Sequence, residues 1–174
     1  MDRSRVVIRP PLERDARGLA EVHAAAWRAA YRGAMTDEYL DGMDVERMTE
    51  GWRRGITAPT QGTAPLLAEV SGEVAGFVIV GPPDADAEPG TGQLYALNVH
   101  PTWWAQGIGS ALLAAAEQKL HDLGYERAFL LVEKNNHRAI GFYTGRGWKP
   151  DGGTLEDTRF NPPVMESRHS RTFL

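Results

Sequence analysis

One stretch, LYALNVHPTWWAQGIGSALL from Leu94 to Leu113, limits what this chain can fold into more than any other. Leu94, Tyr95, Leu97 and Val99 are apolar or aromatic residues of a strand, and Pro101, which lacks an N–H, stops the ladder. After a short turn, Gln106, Gly107, Ile108 and Gly109 lead into an alanine- and leucine-rich run with helical spacing. Gly107 and Gly109 have no Cβ, so a ligand can press against their amides. The helix that follows begins with unpaired N–H groups and the positive end of its dipole, a combination that binds phosphate. Taken alone, a Gly-x-Gly turn serves equally well as a plain tight connection.

A second stretch, LLVEKNNHRAIGFYTGRGW from Leu130 to Trp148, narrows the choice. It reads as a strand ending near Glu133, a short helix through Asn136, Ala139 and Tyr143, and a strand start at Gly147-Trp148. In order and spacing, the two stretches together resemble the GNAT superfamily of acyl-CoA-dependent N-acyltransferases. Against that family's Arg/Gln-x-x-Gly-x-Gly/Ala pattern, Gln106, Gly107 and Gly109 fit. Trp104 stands where the pattern has Arg or Gln, so one phosphate contact lacks its usual side chain. Asn136, Ala139, Phe142, Tyr143, Gly147 and Trp148 match the later motif, with Trp in place of the commoner Phe. The resemblance is specific from about Gln93 to Trp148 and looser on either side.

The resemblance implies an α/β (α+β) fold: a mixed, mostly antiparallel central sheet of about six to seven strands, flanked by helices on both faces. It implies acetyl-CoA as co-substrate and an amine of a small molecule or peptide as acceptor, attacking the thioester directly. The implied cofactor-binding residues are Leu97, Asn98, Val99, Trp104, Ala105, Gln106, Gly107, Ile108, Gly109, Ser110, Asn136, Ala139 and Tyr143. In that scheme the Leu97–Val99 strand parts from its neighbour near Val132 and the pantetheine arm enters the gap. The Val99 amide polarises the acetyl carbonyl, and Tyr143 is the catalytic acid that protonates the leaving thiolate. The glycine turn takes the pyrophosphate, and Asn136 holds the pantetheine or its phosphate end. Trp27, Tyr31, Asp37 and Glu38 are implied acceptor contacts, although Trp27 and Tyr31, an i, i+4 aromatic pair, serve a core equally well.

The rest of the chain is consistent with one domain spanning 1–174. Val6 to Ile8 reads as a short strand, ended by Pro10 and Pro11. Leu12 to Ala30 follows with helical phasing, with Asp15 at its start and His23 as a packed core histidine. Gly33 breaks that helix, and Thr36 caps a second one through Tyr39, Leu40 and Met43 on towards Trp52. Leu66–Val70 and Val74–Val80, joined by Ser71-Gly72, predict a hairpin. Gly81 to Gly92 is a loop whose Asp84, Asp86 and Glu88 form a solvated acidic turn. Leu112 or Leu113, Ala116, Leu120 and Leu123 stripe a helix closed by Gly124. Arg127 to Val132 is an interior strand, Asp151-Gly152-Gly153 a turn, and Val164 to Phe173 a last strand with mixed faces.

The chain has no cysteine, no apolar run near the ~18 residues that span a membrane, and no signal-peptide core in MDRSRVVIRP. A cytoplasmic location, with neither membrane nor nucleic acid as partner, is the expectation; a net charge of −4 exerts no general pull on nucleic acid. The histidines show no zinc-ligand spacing, so no metal is expected. The resemblance admits a homodimer, though no exposed stripe in the sequence specifies one.

Three readings follow: an acetyl-transferring enzyme, a non-catalytic acyl-CoA sensor on the same scaffold, and an unrelated nucleotide-binding module. The last lacks a Walker lysine or a three-glycine fingerprint. Tyr143 favours the enzyme over the sensor, since a sensor needs no hydroxyl near the thioester sulfur. At the positions where related families place a base stand Gln93, Tyr95 and Leu131, none of which accepts a proton near neutrality. The expectation is therefore that no carboxylate is a dedicated base, and that Gln93 and Tyr95 instead meet the acceptor and hold a proton-relaying water, or else the amine arrives already neutral. Glu133 and His100 are the side chains that would overturn this.

Overall fold

In the computed structural model, which describes residues 5–173, seven strands form one sheet in the order β1-β2-β3-β4-β5-β7-β6. Residues 1–4, part of the stretch read above for signal-peptide character, lie outside the described residues. The strands are β1 (Val6–Arg9), β2 (Ala64–Val70), β3 (Glu73–Gly81), β4 (Thr91–Val99), β5 (Arg127–Glu133), β6 (Lys149–Asp157) and β7 (Val164–Thr172). The helices are α1 (Ala16–Ala30), α2 (Asp37–Asp41), α3 (Val45–Thr57), α4 (Ile108–Asp122) and α5 (His137–Thr144). All neighbouring strands run antiparallel except β4 and β5. The expected mixed, mostly antiparallel sheet with helices on both faces is what forms.

Alternation along β3 shows how the two faces are covered. Val78 and Val80 point into the core beneath α4, with Leu112, Leu113, Ala116 and Leu120. Phe77 and Ile79 point the other way, against Leu19 and Val22 of α1 and Trp52 and Ile56 of α3. A period-2 strand between two helices therefore reads as one apolar run, because both faces are buried. Ser71 (φ 52°) and Gly72 (φ 81°) make the tight β2–β3 turn with the left-handed backbone a two-residue hairpin needs.

Three local readings change. Asp15 does not cap α1 with its side chain; the carboxylate instead accepts from the Leu12 amide at 2.7 Å and from Arg9 at 2.7 and 2.9 Å. The single helix expected after Thr36 is two, because the chain breaks at Gly42 and Asp44 caps a new start by accepting from Glu46 and Arg47 amides. Asp151-Gly152-Gly153 is not a chain reversal. Its local turn chemistry survives, with the Gly153 amide donating to Asp151 at 2.9 Å, but β6 runs through it as a register irregularity between Pro150 and Thr154. The last strand is inserted between β5 and β6. Among the described residues no helix is long and apolar enough to cross a membrane.

Candidate active site

The parallel pairing of β4 with β5 lasts only from Thr91–Gln93 against Arg127–Phe129. Beyond it the two strands part, and the cause lies on the other side of β4. There Ala96 faces Ile79 while Leu94 faces Val80, so Tyr95 is the extra residue of a bulge. A bulge bends its strand and strengthens the local twist, which carries the end of β4 away from β5. The opening is a cleft of about 830 Å³, lined by Leu94–Val99 on one wall and Leu130–Val132 on the other.

The register fixes which backbone groups face that cleft. His100 donates its amide to Ala75 at 2.9 Å, so Ala75 and His100 form a hydrogen-bonded pair. In an antiparallel ladder such pairs alternate, so Val99 opposite Gly76 and Leu97 opposite Val78 direct their N–H and C=O away from β3 and into the gap. The Val99 carbonyl is taken by the Trp104 indole, whose Nε1–H donates to it at 2.8 Å. The Val99 and Leu97 amides remain aimed at the cleft.

Below the gap, the turn into α4 needs left-handed backbone twice. Ala105 (φ 58°) and Gly107 (φ 83°) supply it, the first at some cost because it carries a Cβ. A Cβ on Gly109 would stand 3.4 Å from the end of the Phe142 ring, so a larger, branched side chain there would press on α5. Asn136 caps α5 by accepting from the Ala139 amide at 3.1 Å, which leaves only its side-chain NH₂ for a ligand. Arg138, the second residue of α5, lays its guanidinium 3.5 Å above the Trp104 ring. Partial desolvation there lowers the Arg138 pKa. Arg146 stacks on Phe142 at 4.1 Å and donates to the Ser110 hydroxyl at 2.7 Å. The turn is thus flanked by two cations from the far side of the cleft, which the sequence reading did not single out.

Tyr143 is 8% exposed and lines the cleft. Burial, with Tyr31 nearby, pushes its pKa well above the ordinary tyrosine value, so it remains a protonated phenol at neutral pH. Tyr31, raised to about 12 by burial and by the charges of Glu166, Glu133 and Asp157, likewise stays protonated.

Of the residues expected to hold the cofactor, Leu97, Asn98, Val99, Trp104, Ala105, Gly107, Ile108, Gly109, Ser110, Asn136, Ala139 and Tyr143 all line this one cleft. Gln106 does not; it donates back to the Thr102 carbonyl at 3.2 Å and closes the turn from outside. Trp27, Tyr31 and Tyr95 line the cleft as well. Trp27 and Tyr31 also pack edge-to-face at 5.0 Å, so they form core and wall at once. Gln93 is buried away from the cleft, 3% exposed, accepting from the Asp84 amide at 2.9 Å. The Tyr95 hydroxyl donates to the Pro82 carbonyl. Both side chains therefore anchor the loop between β3 and β4 rather than holding a water in the cleft. Asp37 and Glu38 lie on the exposed α2, where Asp37 pairs with Arg32 at 3.1 Å, outside the cleft lining. Missed were Asp157, Arg159, Phe160 and Glu166, which close the end nearest α1. They come from the chain's last quarter, where no local motif marks them.

The model of the acetyltransferase (GNAT) family matches residues 19–148. An uncharacterised N-acetyltransferase of Bacillus subtilis, YuaI, is 28% identical over 138 residues, which are 79% of this chain and 77% of that protein. Among solved structures, the PaiA N-acetyltransferase of Thermoplasma acidophilum, crystallised with coenzyme A, superposes with a TM-score of 0.72. That match has 21% identity and covers 97% of this chain and 99% of that one. YncA, an acetyltransferase from Salmonella typhimurium with acetyl-CoA, gives a TM-score of 0.69 at 17% identity, covering 97% and 94% of the two chains.

Proposed function

Because the chain belongs to the GNAT family of acetyltransferases, we propose that it moves an acetyl group from acetyl-CoA to a primary amine of a small molecule or peptide, by direct attack. The observation that carries this reading is the unpaired edge of β4. Leu97 and Val99 present backbone groups to a gap that no neighbouring strand fills. An extended amide-bearing chain such as pantetheine satisfies such an edge as a further strand would.

The remaining parts follow from position. The thioester supplies an activated acyl carbon. The Val99 amide, held in orientation by the Trp104 bond to its own carbonyl, donates to the carbonyl oxygen as negative charge builds there. The Gly107–Gly109 turn and the start of α4, a helix of 15 residues, receive the pyrophosphate, with Arg138 and Arg146 supplying positive charge. Tyr143, kept protonated by burial, gives its proton to the departing sulfur. Holding amine and thioester in one cleft contributes the larger share of the acceleration through proximity.

The test is a panel of primary amines with purified protein and acetyl-CoA, read by release of free thiol. Amine-dependent release is the expected result. Tight acetyl-CoA binding without release across the panel would instead favour a non-catalytic acyl-CoA sensor.

A further inference from the structure

The end of the cleft nearest α1 is not neutral. Along β7, Val164 and Glu166 share the face that looks towards α1, and β7 is flanked on both sides. Glu166 stands opposite Glu133 of β5, and Val164 opposite Asp157 of β6. In antiparallel pairs the partners' side chains share a face, so three carboxylates meet there. Asp157 is neutralised by Arg159, bound bidentately at 2.6 and 2.9 Å. Glu133 and Glu166 have no ion-pair partner among the described residues. Glu133 is only 5% exposed, yet its charge reaches the cleft, since it raises the pKa values of both Glu166 and Tyr31. Aromatic rings line the same end of the cleft: Trp27 is 5.9 Å from Phe160 and 5.0 Å from Tyr31.

A half-buried carboxylate with no ion-pair partner of its own, in a cleft end lined by aromatic rings, is a site with room for a further positive charge. An amine arriving as ammonium supplies it. We propose that the Glu166 carboxylate receives the proton of the acceptor's ammonium, and that this pocket selects cationic amines that carry no carboxylate of their own. This rests on the acetyl transfer proposed above. It also replaces the sequence-based expectation of no carboxylate base, because Gln93 and Tyr95 are occupied elsewhere.

The step balances. The ammonium gives one proton to Glu166 and becomes a neutral amine, whose lone pair forms the C–N bond to the thioester carbon. The C–S bond breaks, and the sulfur takes the proton of Tyr143. The second proton of the attacking nitrogen restores Tyr143, and Glu166 releases its own proton to water. Burial first, then the charges of Asp157, Asp84 and Glu133, raise the Glu166 pKa, opposed by Arg159; Tyr31 faces it from α1 as a neutral phenol.

The experiment compares phenethylamine with phenylalanine, which differ by one carboxylate, in the parent, Glu166→Gln and Glu166→Asp proteins. Acetyl-CoA affinity by calorimetry shows that each variant is folded and loaded. Expected are a kcat/KM for phenethylamine at least about tenfold above that for phenylalanine and a fall of about a hundredfold in Glu166→Gln at pH 7. The deficit should narrow as pH rises towards the amine's own pKa, and Glu166→Asp should recover part of it. Parental rates in Glu166→Gln, a preference for phenylalanine, or no turnover of phenethylamine by an acetyl-CoA-bound parent that does acetylate other amines would each overturn the inference. Failure to bind acetyl-CoA would instead refute the underlying reading of function.

Discussion

Replacing Trp104 tests whether an unusual residue has taken over the work of the family's Arg or Gln. In this chain the residue at that position carries no charge, but two contacts converge on it. Its indole N–H holds the Val99 carbonyl at 2.8 Å, and its ring carries the Arg138 guanidinium at 3.5 Å. The hydrogen bond contributes about 1 kcal/mol net. The stacked cation adds about 0.5–1 kcal/mol, the lower part of the range, because Arg138 is largely exposed. If both interactions organise the binding-competent cleft, Trp104→Ala weakens acetyl-CoA by roughly 1.5–2 kcal/mol, or about tenfold to thirtyfold. Trp104→Phe keeps a ring under Arg138 and loses only the indole bond, so it should cost about fivefold. Arg138→Gln should cost affinity mainly at low salt, because the lost contact is electrostatic. Trp104→Arg should not restore the usual behaviour, since it sets two guanidinium groups side by side. Calorimetry with acetyl-CoA at two ionic strengths reads all four. An affinity for Trp104→Ala within twofold of the parent would refute the reasoning and leave Trp104 as packing alone.

Tyr143→Phe keeps the ring between Phe142 and Trp148 and removes the proton; kcat should fall about a hundredfold with acetyl-CoA affinity nearly unchanged, as single-turnover thiol release would show. Gly109→Val puts methyl groups where its Cβ alone would already sit 3.4 Å from Phe142, so acetyl-CoA affinity should drop at least tenfold in a variant whose circular dichroism is unaltered. His23, packed against Trp27, Trp52 and Phe77, is lowered to about 4 by burial. The unfolded chain therefore takes up a proton first: this contribution is fully present above about pH 6.5 and is lost as pH falls towards 4, the loss reaching on the order of 2 kcal/mol by pH 5. Urea unfolding at pH 7.5 and 5 should show that loss in the parent and lack it in His23→Phe.

Much of the cleft was legible before any coordinates, because its parts are local. A strand, a glycine turn and a helix start between Leu94 and Leu113 carry their own instructions: alternation, a missing Cβ and helical spacing. Asn136 to Trp148 is as compact, and its cap, Asn136 on Ala139, is a contact between near neighbours. Hairpin chemistry at Ser71-Gly72 and the stop at Gly124 belong to the same class. These features were enough to gather Leu97, Val99, Gly107, Gly109, Asn136 and Tyr143 around one opening.

Only the tertiary structure decided what depends on register and on strand order. The bulge at Tyr95, which splits β4 from β5, is a mismatch between two strands and leaves no mark on either one alone. The same mismatch sends Gln93 and the Tyr95 hydroxyl to the loop near Pro82 and Asp84, overriding their place beside the expected acceptor. Trp104 and Arg138 lie in separate motifs, and their stacking exists only once α5 has docked across the glycine turn. Glu166 looked like one polar residue on a strand with no clean face. Insertion of β7 between β5 and β6 set it opposite Glu133, in the row next to Asp157, and in the cleft that Trp27 and Phe160 also line, joining residues from both ends of the chain. Sequence spacing reports contacts within a few turns or one hairpin. A pocket wall assembled by sheet order is a property of the folded whole.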